Sequence, residues 1–359
     1  MNEVSVGIED GDSIACQKQW GYFSIITYIL LFFLIFSPSI TIAKEPILEV
    51  TYTIPYHAHL VTEPVIQIAE AATKLHALEQ TRSNFTSNLA VKLELRTREQ
   101  QLALASAIYF VSIHERTVLD GPKLSIKAHV YPSSEKILDD HIRQLLRQQD
   151  HLQLRLLAVN QLEQYINEGV ELLNQAHLCS SADIRCKHDD SLVPKIKRTS
   201  NRIKALELFL VELNDFEHVW ANPEKSVLTF SEATALDPDN SLLWLGVGEC
   251  LVLLNRPYES IKAFQKVMIK NNIPARTLYM RGIAHLQMYL PGLAIKDISQ
   301  ALQLEPEHPS WWRALGTAKL VAGDTVAMCA DFYQACAMGD CEGLAEVREQ
   351  NFCLVSPEF

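Results

Sequence analysis

Glycine is scarce, at 13 of 359 residues, which excludes a collagen-like chain. Charged residues make up 21% and apolar residues 48%, a balance that excludes a disordered protein. There is no basic excess. Asp and Glu number 43 against 32 Lys and Arg, a formal net charge of −11, which is the wrong sign for a dedicated nucleic-acid binder. Eight cysteines in this length fall far below the density of a small disulfide scaffold, although four of them crowd between Cys329 and Cys353. No nucleophile elbow, phosphate loop or zinc-protease helix is present, and the twelve histidines are scattered. The expectation is a chain that is not an enzyme, with no cofactor and no metal, built from two or three domains.

What is present begins near the N-terminus. Gln19 to Ala43 is a run of 25 residues without a charge, centred on Ile25 to Phe36. At about 1.5 Å rise per residue, a helix of this length crosses a hydrocarbon core of about 30 Å. Residues 1–43 are therefore expected to be a signal peptide or a signal anchor, meeting a membrane through residues 21–43. Ser37-Pro38-Ser39 breaks the helix, and Thr41-Ile42-Ala43 sets small residues before Lys44, as cleavage requires. Glu3, Glu9, Asp10 and Asp12 against a single Lys18 argue for retention, because an export signal starts basic. Ser13-Ile14-Ala15-Cys16 is no lipid-attachment box, since the apolar run follows the cysteine. Without residues 1–43 the chain carries 39 acidic and 31 basic side chains, net −8, which disfavours nucleic acid and anionic lipid as partners of the body.

Residues 44–132 read as a small α/β module. Ile47 to Ile54 alternate as a strand would and stop at Pro55; Val65, Ile68, Ala69, Ala72, Leu75 and Leu78 then recur at helical spacing from about Glu63 to Arg82. A second helix, Arg98 to Ser106, leads into β-rich runs 107–118 and 123–131, separated by Asp120-Gly121-Pro122. This order resembles the strand–helix–hairpin domains of bacterial envelope and flagellar-assembly proteins. Residues 133–206 read as a long helical hairpin or coiled coil. Leu138, Ile142, Leu145, Leu152, Leu156, Val159, Ile166, Val170 and Leu173 follow three- and four-residue steps or multiples of the heptad along a helix signal from 134 to about 177. A second helix, about 193 to 219, returns alongside it; the alternative is a parallel dimer, self-associating through residues 135–175. The tip carries Cys179 and Cys186 beside His177 and His188. A disulfide is expected there in an oxidising compartment, with a metal set as the rival, although the histidines lie outside familiar zinc spacings.

A period of 34 residues governs the rest. Gly248, Gly282 and Gly316 are one period apart, as are Phe230, Phe264, Ile298 and Phe332, and so are Ala233, Val267, Ala301 and Ala335. Three segments carry further matches: Trp244 in 241–274; Ala294 and Pro306 in 275–308; Trp312 and Leu315 in 309–340. Residues 207–340 thus resemble the tetratricopeptide-repeat family, in which a helix–turn–helix unit repeats at this interval. The segment 207–240 keeps only the second-helix half, Phe230, Ala233 and Pro238, as a degenerate first repeat. The resemblance implies a mainly α fold, a tetratricopeptide-like α-solenoid behind the hairpin and the α/β module. In that packing the glycine lets two helices approach closely. Leu251, His285 and Lys319 stand where the family has an aromatic, so those seams are expected to be looser.

The resemblance also implies a binding groove on the inner side of each first helix. Carried over residue by residue, it is lined by Leu242, Leu245, Glu249 and Leu253, then Arg276, Tyr279, Ile283 and Gln287, then Ser310, Arg313, Thr317 and Val321. Arg276, Arg313 and Tyr279 among apolar neighbours would suit an extended peptide carrying a carboxylate; ordinary solvated helix faces are the plain alternative. The Lys/Asn set of a chaperone-tail clamp is missing. Cys329 and Cys336 share a helix face, while Cys341 and Cys353 bracket a terminal helix in the cap formed by 341–359. This pattern resembles cysteine-bearing relatives of the repeats, in which disulfides staple neighbouring helices. It implies Cys336 bonded to Cys341 or Cys353, with Cys329 taking the remaining partner; a four-cysteine zinc site is the rival. Cys250 is expected to be a lone thiol. The function implied is a non-enzymatic interaction scaffold on the periplasmic side of a bacterial envelope, anchored in the inner membrane or released, with a protein or peptide partner. The alternative is an envelope polymer-remodelling enzyme or cell-wall-binding protein acting through 44–132, with the repeats as a recruitment module.

Overall fold

In a computed structural model of the chain, the described residues are 45–55, 62–82, 97–119, 123–132, 142, 149–182, 191–213, 220, 222–268 and 274–354. The apolar run 19–43, Cys186 and the side chain of Cys179 lie outside them, and so do the signal and the loop disulfide expected there. Among the described residues no helix is long and apolar enough to cross a membrane. Residues from Ile47 onward form one unit and are treated by themselves.

That unit begins with β1 (Leu48–Pro55), α1 (Glu63–Thr81), α2 (Arg98–Ile108), β2 (Tyr109–Leu119) and β3 (Lys123–Pro132). The strands form an antiparallel sheet of order β1-β3-β2. Strand alternation puts Val50, Ile54, Leu124, Ile126, Ala128 and Val130 on one face, buried against Val65, Ile68 and Ala69 of α1 and Leu104 and Ile108 of α2. The opposite face carries Glu49, Lys127 and His129, with exposed Phe110 and Leu119 on its β2 edge. α2 opens on a capping box, in which Thr97 Oγ1 accepts from the Gln100 N–H (3.2 Å) and Gln100 Oε1 accepts from the Thr97 N–H (3.1 Å). The helix runs to Ile108, past the expected start of the β run at 107, because Leu104, Ala105, Ala107 and Ile108 are all buried at helical spacing.

α3 (Gln149–Ala182) and α4 (Leu192–Glu212) make the helical hairpin. Its apolar stripe is used inside the chain. Val159, Ile166 and Leu173 are each at most 3% exposed, and Ile166 and Leu173 pack on α1, the sheet and α4. Ile166 and Leu173, two residues of the stripe that the alternative parallel dimer through 135–175 would use, thus already face their own chain. Gly169 explains how closely α3 lies on α1: a Cβ there would stand 2.8 Å from Ile68 Cγ2. Lys74 of α1 pairs with Glu207 of α4 at 2.7 Å, and Ser200 donates to Gln67 at 2.7 Å. Arg155 of α3 is buried and donates to the carbonyls of Ser106 (3.0 Å) and Leu213 (2.6 Å), tying the ends of α2 and α4 together. Burial pushes its pKa down to about 9.

Helix pairs follow: α5 (Pro223–Leu236), α6 (Ser241–Leu253) with α7 (Pro257–Met268), α8 (Ala275–Gln287) with α9 (Pro291–Leu304), α10 (Pro309–Ala322) with α11 (Thr325–Ala337), and the terminal α12 (Glu342–Glu349). The last three pairs are the expected 34-residue repeats. Each first helix packs on its own second helix and also on the first helix of the next repeat, α6 on α8 and α8 on α10. The glycines sit at the crossings. A Cβ at Gly282 would lie 2.6 Å from Ile298, and at Gly316 it would lie 2.9 Å from Phe332; at Gly248 it would overlap the Phe264 ring. The turn inside each pair also repeats, because Asn255, Tyr289 and Gly323 have φ of 53°, 57° and 83°. Asn and Gly are ordinary occupants of that left-handed position; Tyr is not. Trp244 and Trp312 each donate to a proline carbonyl six residues back, Pro238 and Pro306, both at 2.8 Å.

The seams at the non-aromatic positions are not loose, contrary to expectation. Lys319 pairs with Asp331 at 2.6 Å, and His285 Nδ1 lies 3.1 Å from Asp297 Oδ2, which also accepts from Arg281 Nε at 2.7 Å. The two acids occupy equivalent positions in consecutive repeats: Asp331 pairs with Lys319 at the aromatic position itself, while Asp297 is held by Arg281, with the His285 ring beside it. In the first repeat the corresponding residues are Leu251 and Ala263, both buried.

Candidate functional site

The first-helix face was the anticipated groove, and its two ends differ. At the α6 end Leu242, Leu245 and Glu249 are buried, Glu249 completely. A carboxylate withdrawn from water requires partners, and Glu249 has them. Arg276 of α8 meets it with both arms, Nε to Oε1 at 2.6 Å and a terminal nitrogen to Oε2 at 3.0 Å, and the Trp220 indole N–H donates to Oε2 at 2.8 Å. Trp220 precedes α5 and packs edge-on against Phe209 and Phe230, with ring centroids 5.6 and 5.0 Å away. An aromatic side chain from the degenerate first segment, at no position of the repeat pattern, therefore occupies what the family resemblance implied to be open groove.

The α10 end is more accessible. Arg313 pairs with Asp340 at 2.8 Å and with Glu342 at 3.0 Å, the residues that lead into α12. Both arginines expected to receive a peptide carboxylate are thus engaged by carboxylates of the chain itself. Gln287 donates to the Val252 carbonyl at 2.8 Å. Tyr279 stacks on Trp311, centroids 5.0 Å apart, while Ile283 and Ser310 are half-buried and Leu253, Thr317 and Val321 exposed. The open part of the face therefore offers an aromatic ring, aliphatic carbons and hydroxyls, and its guanidinium groups are neutralised.

The cap closes the stack chemically. Cys329 is bonded to Cys353 and Cys336 to Cys341, one of the two pairings left open above. Leu344 and Val347 of α12 cover Met328 and Phe332 of α11, so the last apolar face does not meet water. The Tyr333 hydroxyl donates to the Cys353 carbonyl at 2.8 Å. Cys250 is a buried free thiol whose pKa burial raises, which keeps it protonated and unreactive. Sequence reasoning missed Trp220 and the acids Asp297 and Asp331. The acids left a legible signal, a base followed twelve residues later by Asp in two successive repeats; Trp220 left none.

The fold defines a class, a mainly helical protein in which helix pairs stack at a constant interval behind a small sheet. No protein-family model and no curated protein matches the chain. A solved structure described as "Crystal structure of MamA protein" aligns with 54% of this chain and 97% of its own at 16% identity, with a TM-score of 0.33. A superposition that loose settles neither fold nor function.

Proposed function

We propose that the chain is a non-enzymatic interaction scaffold on the exported side of a bacterial cell envelope, with residues 207–340 as a tetratricopeptide-like stack that presents its first-helix face to a protein or peptide partner. The observation that carries this reading is the recurrence at one interval of the same crossing, glycine on the first helix against a large side chain on the second. Repetition of that kind builds an extended surface. Export is supported by the two terminal disulfides and by the uncharged run 19–43. The partner segment is one with apolar side chains, placed against Tyr279, Ile283 and Thr317.

The test is site-specific photo-crosslinking from the full-length chain in cells, with the probe at Ile283, Thr317 or, for comparison, exposed Tyr258 on the second helix α7. A discrete adduct from positions 283 and 317 and none from 258 is expected. No adduct from either first-helix position, or the same adduct from all three, would contradict the reading.

A further inference from the structure

The outer face of the sheet carries a cluster unrelated to the repeats. Glu49 on β1, His114 on β2 and His129 on β3 each bring one ligand atom within 4.8 Å of the others. Register places them there. Glu49 is the cross-strand partner of His129, and His114 is the residue inserted where the β2–β3 ladder slips by one between Ile113 and Glu115. Regular alternation after Ile113 would have turned Glu115 toward the helices. With the bulge, both residues stay on the outer face. Glu115 pairs there with Lys127 at 2.6 Å, which neutralises the nearest cation, and His114 stacks on His129 with centroids 3.7 Å apart. Arg116 then returns to the helix side and pairs with Glu70.

His129 is oriented at one ring nitrogen, Nδ1, 3.3 Å from the Tyr131 hydroxyl, while its Nε2 faces Glu49 Oε2 across 3.8 Å with no hydrogen bond between them. An outer partner on one nitrogen, with the other left for the ion, is how metal-binding histidines are held. Two imidazoles and one carboxylate select a borderline transition ion over calcium or magnesium.

We propose that Glu49, His114 and His129 form a three-ligand site for a divalent transition ion of the zinc type, with a fourth position open to solvent. Binding swings the exposed His114 ring out of its stack, so that both imidazole lone pairs converge on an ion about 2.0–2.1 Å away. The site stands or falls independently of the scaffold reading, since it lies on the sheet and not on the repeats.

The test is calorimetric titration of the oxidised, full-length chain with zinc, alongside pulsed electron paramagnetic resonance with copper(II) as a second probe. One equivalent of zinc is expected, with affinity reduced at least about ten-fold in His114→Ala, His129→Ala and Glu49→Gln, and to a smaller extent in Tyr131→Phe. Copper should report two imidazole nitrogens in the parent and one in either histidine variant. Circular dichroism verifies that the variants stay folded, and all three ligands lie on the solvent face. His177→Ala, near the cysteine-bearing loop, should leave the affinity unchanged. Absence of zinc binding, unchanged affinity in the His114→Ala, His129→Ala and Glu49→Gln variants, or loss of binding with His177→Ala instead would overturn the proposal.

Discussion

The two halves of the unit hold together across different distances along the chain. In the repeats, stabilising partners lie within one period: Gly282 against Ile298, His285 beside Asp297, Lys319 with Asp331. In the N-terminal half, Lys74 reaches Glu207, Gln67 reaches Ser200, and Arg155 joins Ser106 to Leu213. Local pairing makes each repeat its own source of stability, coupled to neighbours through an interface. Non-local pairing ties the sheet, α3 and α4 into one cooperative body. A fault in the first kind of structure should stay where it is made, and a fault in the second should spread.

The sharpest break is Gly248→Leu, which drives a side chain into the Phe264 ring. A loss of about 3 kcal/mol or more is expected by chemical denaturation. Gly292→Ala is its control: nothing lies within 4 Å of a Cβ there, and the change should be within about 1 kcal/mol, on the stabilising side. Next comes Arg155→Met, which strips two buried carbonyls of a charged donor; about 2–3 kcal/mol is expected, with spectroscopic probes in α1 and α4 melting together. Replacing Cys329 and Cys353 with Ser should cost about 2–4 kcal/mol, a difference that a reductant abolishes.

Three smaller effects sharpen the comparison inside the repeats. Burial lowers the pKa of His285, opposed by Asp297, so the unfolded chain takes up a proton that the folded one resists. Stability should therefore fall as pH drops through about 6.5 and level off below the folded value. His285→Phe should flatten that part of the profile. Burial raises the pKa of Asp331, opposed by Lys319, so its sign is reversed: its contribution is present in acid and lost as pH rises through the folded value. Least of all, Tyr289→Gly should stabilise by about 0.5–1 kcal/mol, because φ at 289 is 57°, a conformation that costs a side chain and not glycine.

The same difference in distance decides what could be read from the amino acids. Partners separated by a fixed interval announce themselves by recurrence, so the glycine crossings and the helix pairs were legible, and the terminal cysteines stood out by their clustering. The burial of Glu249 was not legible, since it depends on Trp220, which lies in the degenerate first segment and matches no repeat position, and on a bidentate contact from the next repeat's Arg276. Nor was the capture of Arg313 by Asp340 and Glu342, beyond the last repeat. The heptad-like stripe of α3 was visible, but a period cannot say whether the facing surface is a second chain or α1 and α4 of the same one. The Glu49, His114 and His129 cluster depends on one inserted residue in β2, which hydrophobic alternation alone does not reveal.

Native-state hydrogen exchange of the oxidised chain, before and after selective reduction of the cap disulfides, tests the contrast most directly. Reduction should lower protection in α10, α11 and α12 while leaving the amides of α1, α3 and the sheet unchanged. A uniform loss of protection from the sheet to α12, or no change anywhere, would contradict the account.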